Sequence, residues 1–175
     1  MNQHLMFRKR TRQQWPPLWR VAQHLHCTER WHLGCAVEIA PHREAPTAAE
    51  AARYFDHGDL WFTDYEQQLS WRYEVKGNRQ SAFTCATDCY PELFVSRVDA
   101  VDRHGTSVAA YIIVNNKLTH CAIVKQETRP FWRIRDDLAP NTGNVEDNYA
   151  CPVKHVIFEK LESWEDQLVR EEQFA

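Results

Sequence analysis

The stretch Leu69-Ser70-Trp71-Arg72-Tyr73-Glu74-Val75-Lys76-Gly77 is aromatic and β-branched, closed by a glycine, and it reads as a strand. On an extended chain, alternate side chains share a face, so Arg72, Glu74 and Lys76 project together while Tyr73 and Val75 point to the other side. A carboxylate and an ammonium therefore stand side by side at the end of a strand. Such a pair is either a solvated sheet edge or half of an active site. Just upstream, "DLWFT" (Asp59 to Thr63) is a second strand-like run, and the polar "DYEQQ" between the two predicts an antiparallel hairpin.

Further strands are expected downstream: Leu93 to Val101, Ser107 to Val114 after the turn "RHG", and Thr119 to Gln126 after "NNK", with "FWRI" as a short edge. Asn115-Asn116 supplies a turn that tolerates positive φ and links two strands expected to be buried on both sides. Trp132 and Trp164 are expected core anchors.

Helices are expected on either side of this run. "PPLWRVAQHLHC" is opened by prolines, and Thr28 caps a second helix through "ERWHLGCAVEIA", with Leu33, Val37 and Ala40 on one face. Thr47-x-x-Glu50 is a capping box ahead of an alanine-rich run that Gly58 stops. From Lys154 onward, Val156, Leu161, Trp164 and Leu168 fall at helical spacing. Helices, then strands, then a helix predict an α/β (α+β) domain whose central mixed or mostly antiparallel sheet is flanked by helices.

At 175 residues, 43% hydrophobic and 12% aromatic, the chain is expected to form one domain with a sizeable core. The formal charge of −3 conceals an asymmetry. No acidic residue precedes Glu29, whereas Arg8, Lys9, Arg10, Arg12 and Arg20 lie there with Trp15 and Trp19; the segment from Glu159 to Glu172 is mainly acidic. The expected organisation is a basic arm over 1–20 and a single α/β domain over 21–175. The arm has two readings, a phosphate-tracking segment or a solvated terminus.

The longest apolar stretch, Val108 to Val114, is too short to span a bilayer, and "MNQHLMFRKR" lacks the apolar core of a leader; no membrane partner and a cytoplasmic location are expected. Six scattered cysteines then predict reduced thiols. A zinc set drawn from His24, His26, Cys27, His32 and Cys35 lacks paired knuckles, and small buried cysteines are the better reading.

If the hairpin closes, Asp59 at the start of one strand and Glu74 and Lys76 at the end of the next converge at one end of the sheet. Hard oxygen donors of this kind suit Mg²⁺ or Mn²⁺. In these residues the chain resembles the PD-(D/E)xK nucleases, the restriction-endonuclease-like superfamily. The resemblance rests on Asp59 in "HGDLWF" and Glu74-Val75-Lys76 in "YEVKG". It extends to Glu38 in "LGCAVEIA", in the place where members often carry a glutamate on a preceding helix.

The resemblance implies a restriction-endonuclease-like core and a Mg²⁺- or Mn²⁺-dependent deoxyribonuclease, an endonuclease rather than an exonuclease. Asp59 and Glu74 would hold the metal, Glu38 would assist, and Lys76 would orient or activate the attacking water. DNA is the implied partner, and a homodimer would suit cutting of both strands. Asp56 competes with Asp59, which is preferred because it opens the strand. Arg72 is a candidate phosphate contact or a partner of Glu66. Gln80 has a substrate-binding and a solvated reading, Arg10 and Arg12 are substrate-binding candidates on the arm, and His57 and His120 are candidate proton shuttles. The second function class is a nuclease-like fold without the chemistry, binding nucleic acid or a protein partner.

Overall fold

A computed structural model describes residues 3–28, 35–40, 59–78, 81–138 and 145–163, with side chains in the first helix from Trp15 onward. The chain begins with helix α1 (Gln3–Cys27) and strands β1 (Cys35–Ile39), β2 (Leu60–Asp64) and β3 (Leu69–Gly77). Next come β4 (Glu92–Arg97), helix α2 (Val98–His104), β5 (Ala110–Val114) and β6 (His120–Lys125). The last strands are β7 (Arg133–Leu138), β8 (Val145–Pro152) and β9 (Ile157–Lys160). The architecture is mixed α+β, as the order of elements predicts.

Two sheets divide these strands. The larger has the order β1-β2-β3-β5-β6-β9 and the smaller β4-β8-β7. All of the pairings in the larger sheet are antiparallel except β3 with β5, which run parallel, Glu74 beside Tyr111 and Lys76 beside Ile113. A parallel neighbour requires a crossover. Here the crossover includes β4 and α2, which carries one of the second sheet's three strands to one face of the first.

The larger sheet is therefore covered on both faces. Leu18, Val21 and Leu25 of α1 pack on Leu60, Val75, Ile112, Val114 and Cys121. On the other face Tyr111, Ile113, Ala122 and Val124 pack against Val101 of α2, Leu93 and Val95 of β4, Cys151 of β8, and Trp132. Every residue of β5 is buried, its side chains alternating between the two cores. This is the doubly buried strand expected from its unbroken apolar run.

α1 is clamped by polar contacts as well. Arg20 donates to the carbonyls of Leu118 (3.2 Å) and Leu161 (2.9 Å). His24 Nδ1 accepts the Glu162 N–H at 3.1 Å, so Nε2 carries the proton and donates to Glu159 at 3.2 Å. Pro16 and Pro17 lie inside this helix, not at its start as the sequence predicts. Each removes one intrahelical hydrogen bond, and buried Pro17 seats the helix on the end of β3. A Cβ on Gly77 would come within 2.9 Å of Pro17 Cγ, which is why that strand closes on glycine.

Three other expectations are corrected, and one strand is new. Cys35–Ile39, read as part of a helix, is strand β1: five residues are too few for periodicity to separate the two, and Val37 and Ile39 alternate toward the α1 core. The strand expected from Leu93 to Val101 stops at Arg97, and α2 follows. Val98 and Val101 are spaced for a helix, Asp99 occupies its first turn, Arg103 and His104 its last, and Gly105 at φ 57° ends it. Over its described part, up to Ser163, the helix expected from Lys154 is instead a short 3-10 turn followed by β9, which pairs with β6; the remainder, with Leu168, lies outside the described residues. β8, rich in Asp, Glu and Asn, carries no strand signal and is held by its ladders to β4 and β7.

The positive φ near "NNK" falls on Leu118 (57°) and not on the asparagines. Asn115 is instead a buried hub. Its amide oxygen accepts the N–H groups of Thr119 (2.9 Å) and His120 (3.4 Å), and its amide nitrogen donates to the Phe83 carbonyl (2.9 Å) and Thr119 Oγ1 (3.1 Å). Trp132 is a core anchor as expected, and its indole N–H is satisfied by Thr128 at 2.9 Å. The helix expected over Thr47 to His57, with Asp56 and His57, lies outside the described residues, as do His32 and Trp164. All six cysteines are thiols outside any disulfide. Among the described residues no helix is long and apolar enough to cross a membrane.

Candidate active site

The β2–β3 hairpin closes in the register Leu60 with Tyr73, Trp61 with Arg72 and Phe62 with Trp71. One step further, in the bend before β2, Asp59 donates its N–H to the Tyr73 carbonyl at 2.8 Å. β3 then runs on past the end of β2, and the N–H of Val75 has no strand residue opposite it. Asp59 Oδ2 takes that N–H at 2.7 Å. The carboxylate thus completes the backbone hydrogen bonding of its neighbour. It stands against the residue between Glu74 and Lys76.

Since Leu60 and Val75 face α1, alternation puts Trp61, Arg72, Glu74 and Lys76 on the opposite face of the sheet, while Asp59, in the bend before β2, turns its carboxylate along the sheet edge to the Val75 N–H. Glu74 is 8% exposed there. Its Oε1 accepts from Lys76 Nζ at 2.5 Å, and Lys76 keeps about a third of its side chain in solvent. Its Oε2 is buried with no hydrogen-bond partner among the described residues, 3.7 Å from His104 Nε2.

Two groups close over Glu74. His104, from the last turn of α2, packs edge-on to Tyr111, which is the neighbour of Glu74 on β5. Burial, and after it the charge of Glu74, push the Tyr111 phenol far above its ordinary range, so the ring remains a neutral donor. Neither residue announces itself in the sequence. Tyr111 sits in an apolar run and His104 in a turn-like "RHG", and their role emerges only from the parallel pairing of β3 with β5.

The remaining candidates divide. Glu38 is exposed on β1 and not on a helix, which corrects the expectation; it is in register with Trp61, two residues along β2 from the Asp59 bend. Arg72 does not pair with Glu66. Its guanidinium lies 4.5 Å from the centroid of the Trp61 ring. Arg10 and Arg12 belong to α1, the helix that covers the other face of the sheet. His120 opens β6, with its ring 3.1 Å from Thr119 Oγ1. Gln80 lies outside the described residues. A cavity of about 970 Å³, lined by Asn78, Glu92, Phe94, Arg133 and Arg135 among others, adjoins the end of β3 but contains none of Asp59, Glu74 or Lys76.

Among the described residues no cluster of three or more His, Cys, Asp or Glu side chains is disposed to hold a metal. Mg²⁺ asks for less: one or two protein carboxylates, with water and substrate oxygens completing the shell. Asp59 and Glu74 match that smaller donor set in type and number, and an orphaned carboxylate oxygen marks Glu74 as incompletely satisfied. Glu38, a row away and exposed, is not part of it. Of the residues weighed for zinc, His24 is committed to Glu159 and the Glu162 backbone, and His32 lies outside the described residues.

No protein-family model, curated protein or solved structure matches this chain.

Proposed function

We propose that this chain is a divalent-metal-dependent deoxyribonuclease with a restriction-endonuclease-like core, and that Asp59, Glu74 and Lys76 are its reacting site. The observation that carries the reading is the bond from the Val75 N–H to Asp59 Oδ2, which gathers two carboxylates and an ammonium at one end of two neighbouring strands. The mixed sheet, with the aspartate-bearing strand beside the Glu-x-Lys strand, supports the same reading.

Asp59 and Glu74 would hold Mg²⁺ or Mn²⁺. Such an ion neutralises charge on a phosphodiester and lowers the pKa of a bound water. Lys76 places a fixed cation where negative charge builds on the phosphoryl oxygens, and Glu74 keeps its ammonium from swinging into solvent. Hydrolysis forms a bond from the water oxygen to phosphorus and breaks the bond to the leaving sugar oxygen, which takes up a proton as the water gives one up. This chemistry needs no covalent intermediate. His104 and Tyr111 restrict water on the inner side of Glu74.

A second reading has its own support. With one oxygen taken by Lys76 and the other buried beneath His104, Glu74 also resembles a structural ion pair, as in a nuclease-like protein that only binds nucleic acid or a protein partner.

Cleavage of labelled linear, supercoiled, branched and single-stranded DNA with Mg²⁺ or Mn²⁺ separates the two. Wild type is expected to cut at least one substrate, with Glu74→Gln, Asp59→Asn and Lys76→Ala each slower by about 10²-fold or more while their circular dichroism is unchanged. Binding without cutting by folded wild type would leave the second reading standing.

A further inference from the structure

The β2–β3 hairpin carries three rows of side chains on the face that bears Glu74. Glu74, beside the bend that holds Asp59, marks the first. Trp61 and Arg72 form the second, and Thr63 and Ser70, whose hydroxyls are 3.4 Å apart, form the third. Rows on one face are about 7 Å apart. The hairpin is thus a track that leads away from the candidate active site, and its first station is an indole 36% exposed with a guanidinium against it.

A tryptophan left open on a sheet face loses the free energy that burial would give it. Here the neighbours give its exposure a chemical sense. Glu38 borders it on β1 and Arg72 on β3. A phosphodiester chain is repelled by the first and attracted by the second. The backbone of a nucleic acid strand would therefore run on the β3 side, past Arg72 and Lys76, and its base would turn toward the ring. Arg72, held 4.5 Å from the Trp61 ring centroid, offers N–H donors to a phosphate at little further entropic cost.

Resting on the nuclease reading, we propose that Trp61 and Arg72 form a stacking platform for an unpaired nucleobase beside the scissile phosphate, so that the preferred substrate is single-stranded DNA or the unpaired strand of a branched one. In a duplex, bases are stacked on each other and turn only their edges outward, so an indole fixed on a sheet reaches a base face only after the base leaves the helix. An unpaired base has both faces available. The Thr63 and Ser70 hydroxyls continue the track for sugar and phosphate oxygens.

The test is equilibrium binding of a fluorescent single-stranded 12-mer and of its blunt duplex, in Ca²⁺ with gels run to check that nothing is cut. Wild type, Trp61→Ala and Trp61→Phe are compared. Wild type is expected to prefer the single strand. Trp61→Ala should weaken that complex by about 10-fold or more and leave the duplex unchanged, while Trp61→Phe keeps most of the affinity. Equal binding of single strands by Trp61→Ala and wild type, or a wild-type preference for duplex, overturns the platform. If wild type still cuts duplex DNA, the platform alone falls. If it neither binds nor cuts any DNA, the nuclease reading falls with it.

Discussion

Gly77→Ala tests whether α1 is seated on the end of the strand that carries Glu74 and Lys76. The new methyl would lie 2.9 Å from Pro17 Cγ and 3.7 Å from Pro17 Cβ. The first distance is well inside van der Waals contact, and a proline ring fixed in a helix cannot rotate away. Overpacking of this kind costs about 1–3 kcal/mol. Alanine recovers about 0.5–1 kcal/mol because glycine is a poor strand residue. The net loss is about 1–2 kcal/mol, or a fall in Tm of about 5 °C for a chain of this length. Thermal and urea unfolding measure it directly. A double-mutant cycle with Pro17→Ala sharpens the test: removing the ring leaves only the 3.7 Å contact, so Gly77→Ala should cost at least about 1 kcal/mol less when Pro17→Ala is already present. An equal cost with and without Pro17→Ala, or none with Pro17 in place, would show that the helix does not rest on Gly77.

Asn115→Leu removes four hydrogen bonds and leaves the buried Phe83 carbonyl without its donor; a loss of about 3 kcal/mol in urea unfolding is expected, and a loss under about 1 kcal/mol would mean that water replaces the side chain. Asp88 accepts from the Thr84 hydroxyl and N–H and from the Cys85 N–H, and the Thr84 hydroxyl chiefly holds its carboxyl below the ordinary 3.8. A lowered folded value gives order that is complete above the unfolded pKa and lost as pH falls through the folded one. Hydrogen exchange should therefore show Thr84 and Cys85 amides protected above pH 3.8 and opening below it, and Asp88→Asn should expose them at every pH; protection that persists in Asp88→Asn would refute the role.

The elements that can be read in the sequence are those whose local pattern agrees with what buries them. β2, β3, β5 and β6 combine β-branched and aromatic residues with faces that reach a core, and turn chemistry separates them. Asp59 and Glu74-Val75-Lys76 therefore fall where the hairpin pattern puts them. β1, β8 and β9 are not legible because their stability is borrowed from neighbours. Ile157 to Lys160 has a helical charge pattern, yet its backbone is claimed by β6. β8 places Asp147 opposite Asp136 and Glu146 opposite Asp137, like-charge pairs that a strand of its own choosing would avoid. At the site, Trp61 reads in the sequence as an ordinary strand aromatic; only the register with Arg72 and Glu38 separates it from Trp71, which packs against Phe62 on the other face.

The clamp on α1 bears on how the chain is made. As synthesis proceeds, the helix emerges before the strands it covers, but the N–H that His24 accepts belongs to a residue 138 positions later. Arg20 likewise waits 141 positions for the Leu161 carbonyl. Until then the helix has apolar strands to lie on, Pro17 against Gly77 and one Arg20 bond to the Leu118 carbonyl, but not the rest of its clamp. A nascent chain arrested before β9 would carry the Asp59, Glu74 and Lys76 side chains on a hairpin whose covering helix lacks both His24 bonds and one of the Arg20 bonds, so the final seating of the back layer waits for β9 and the residues just after it.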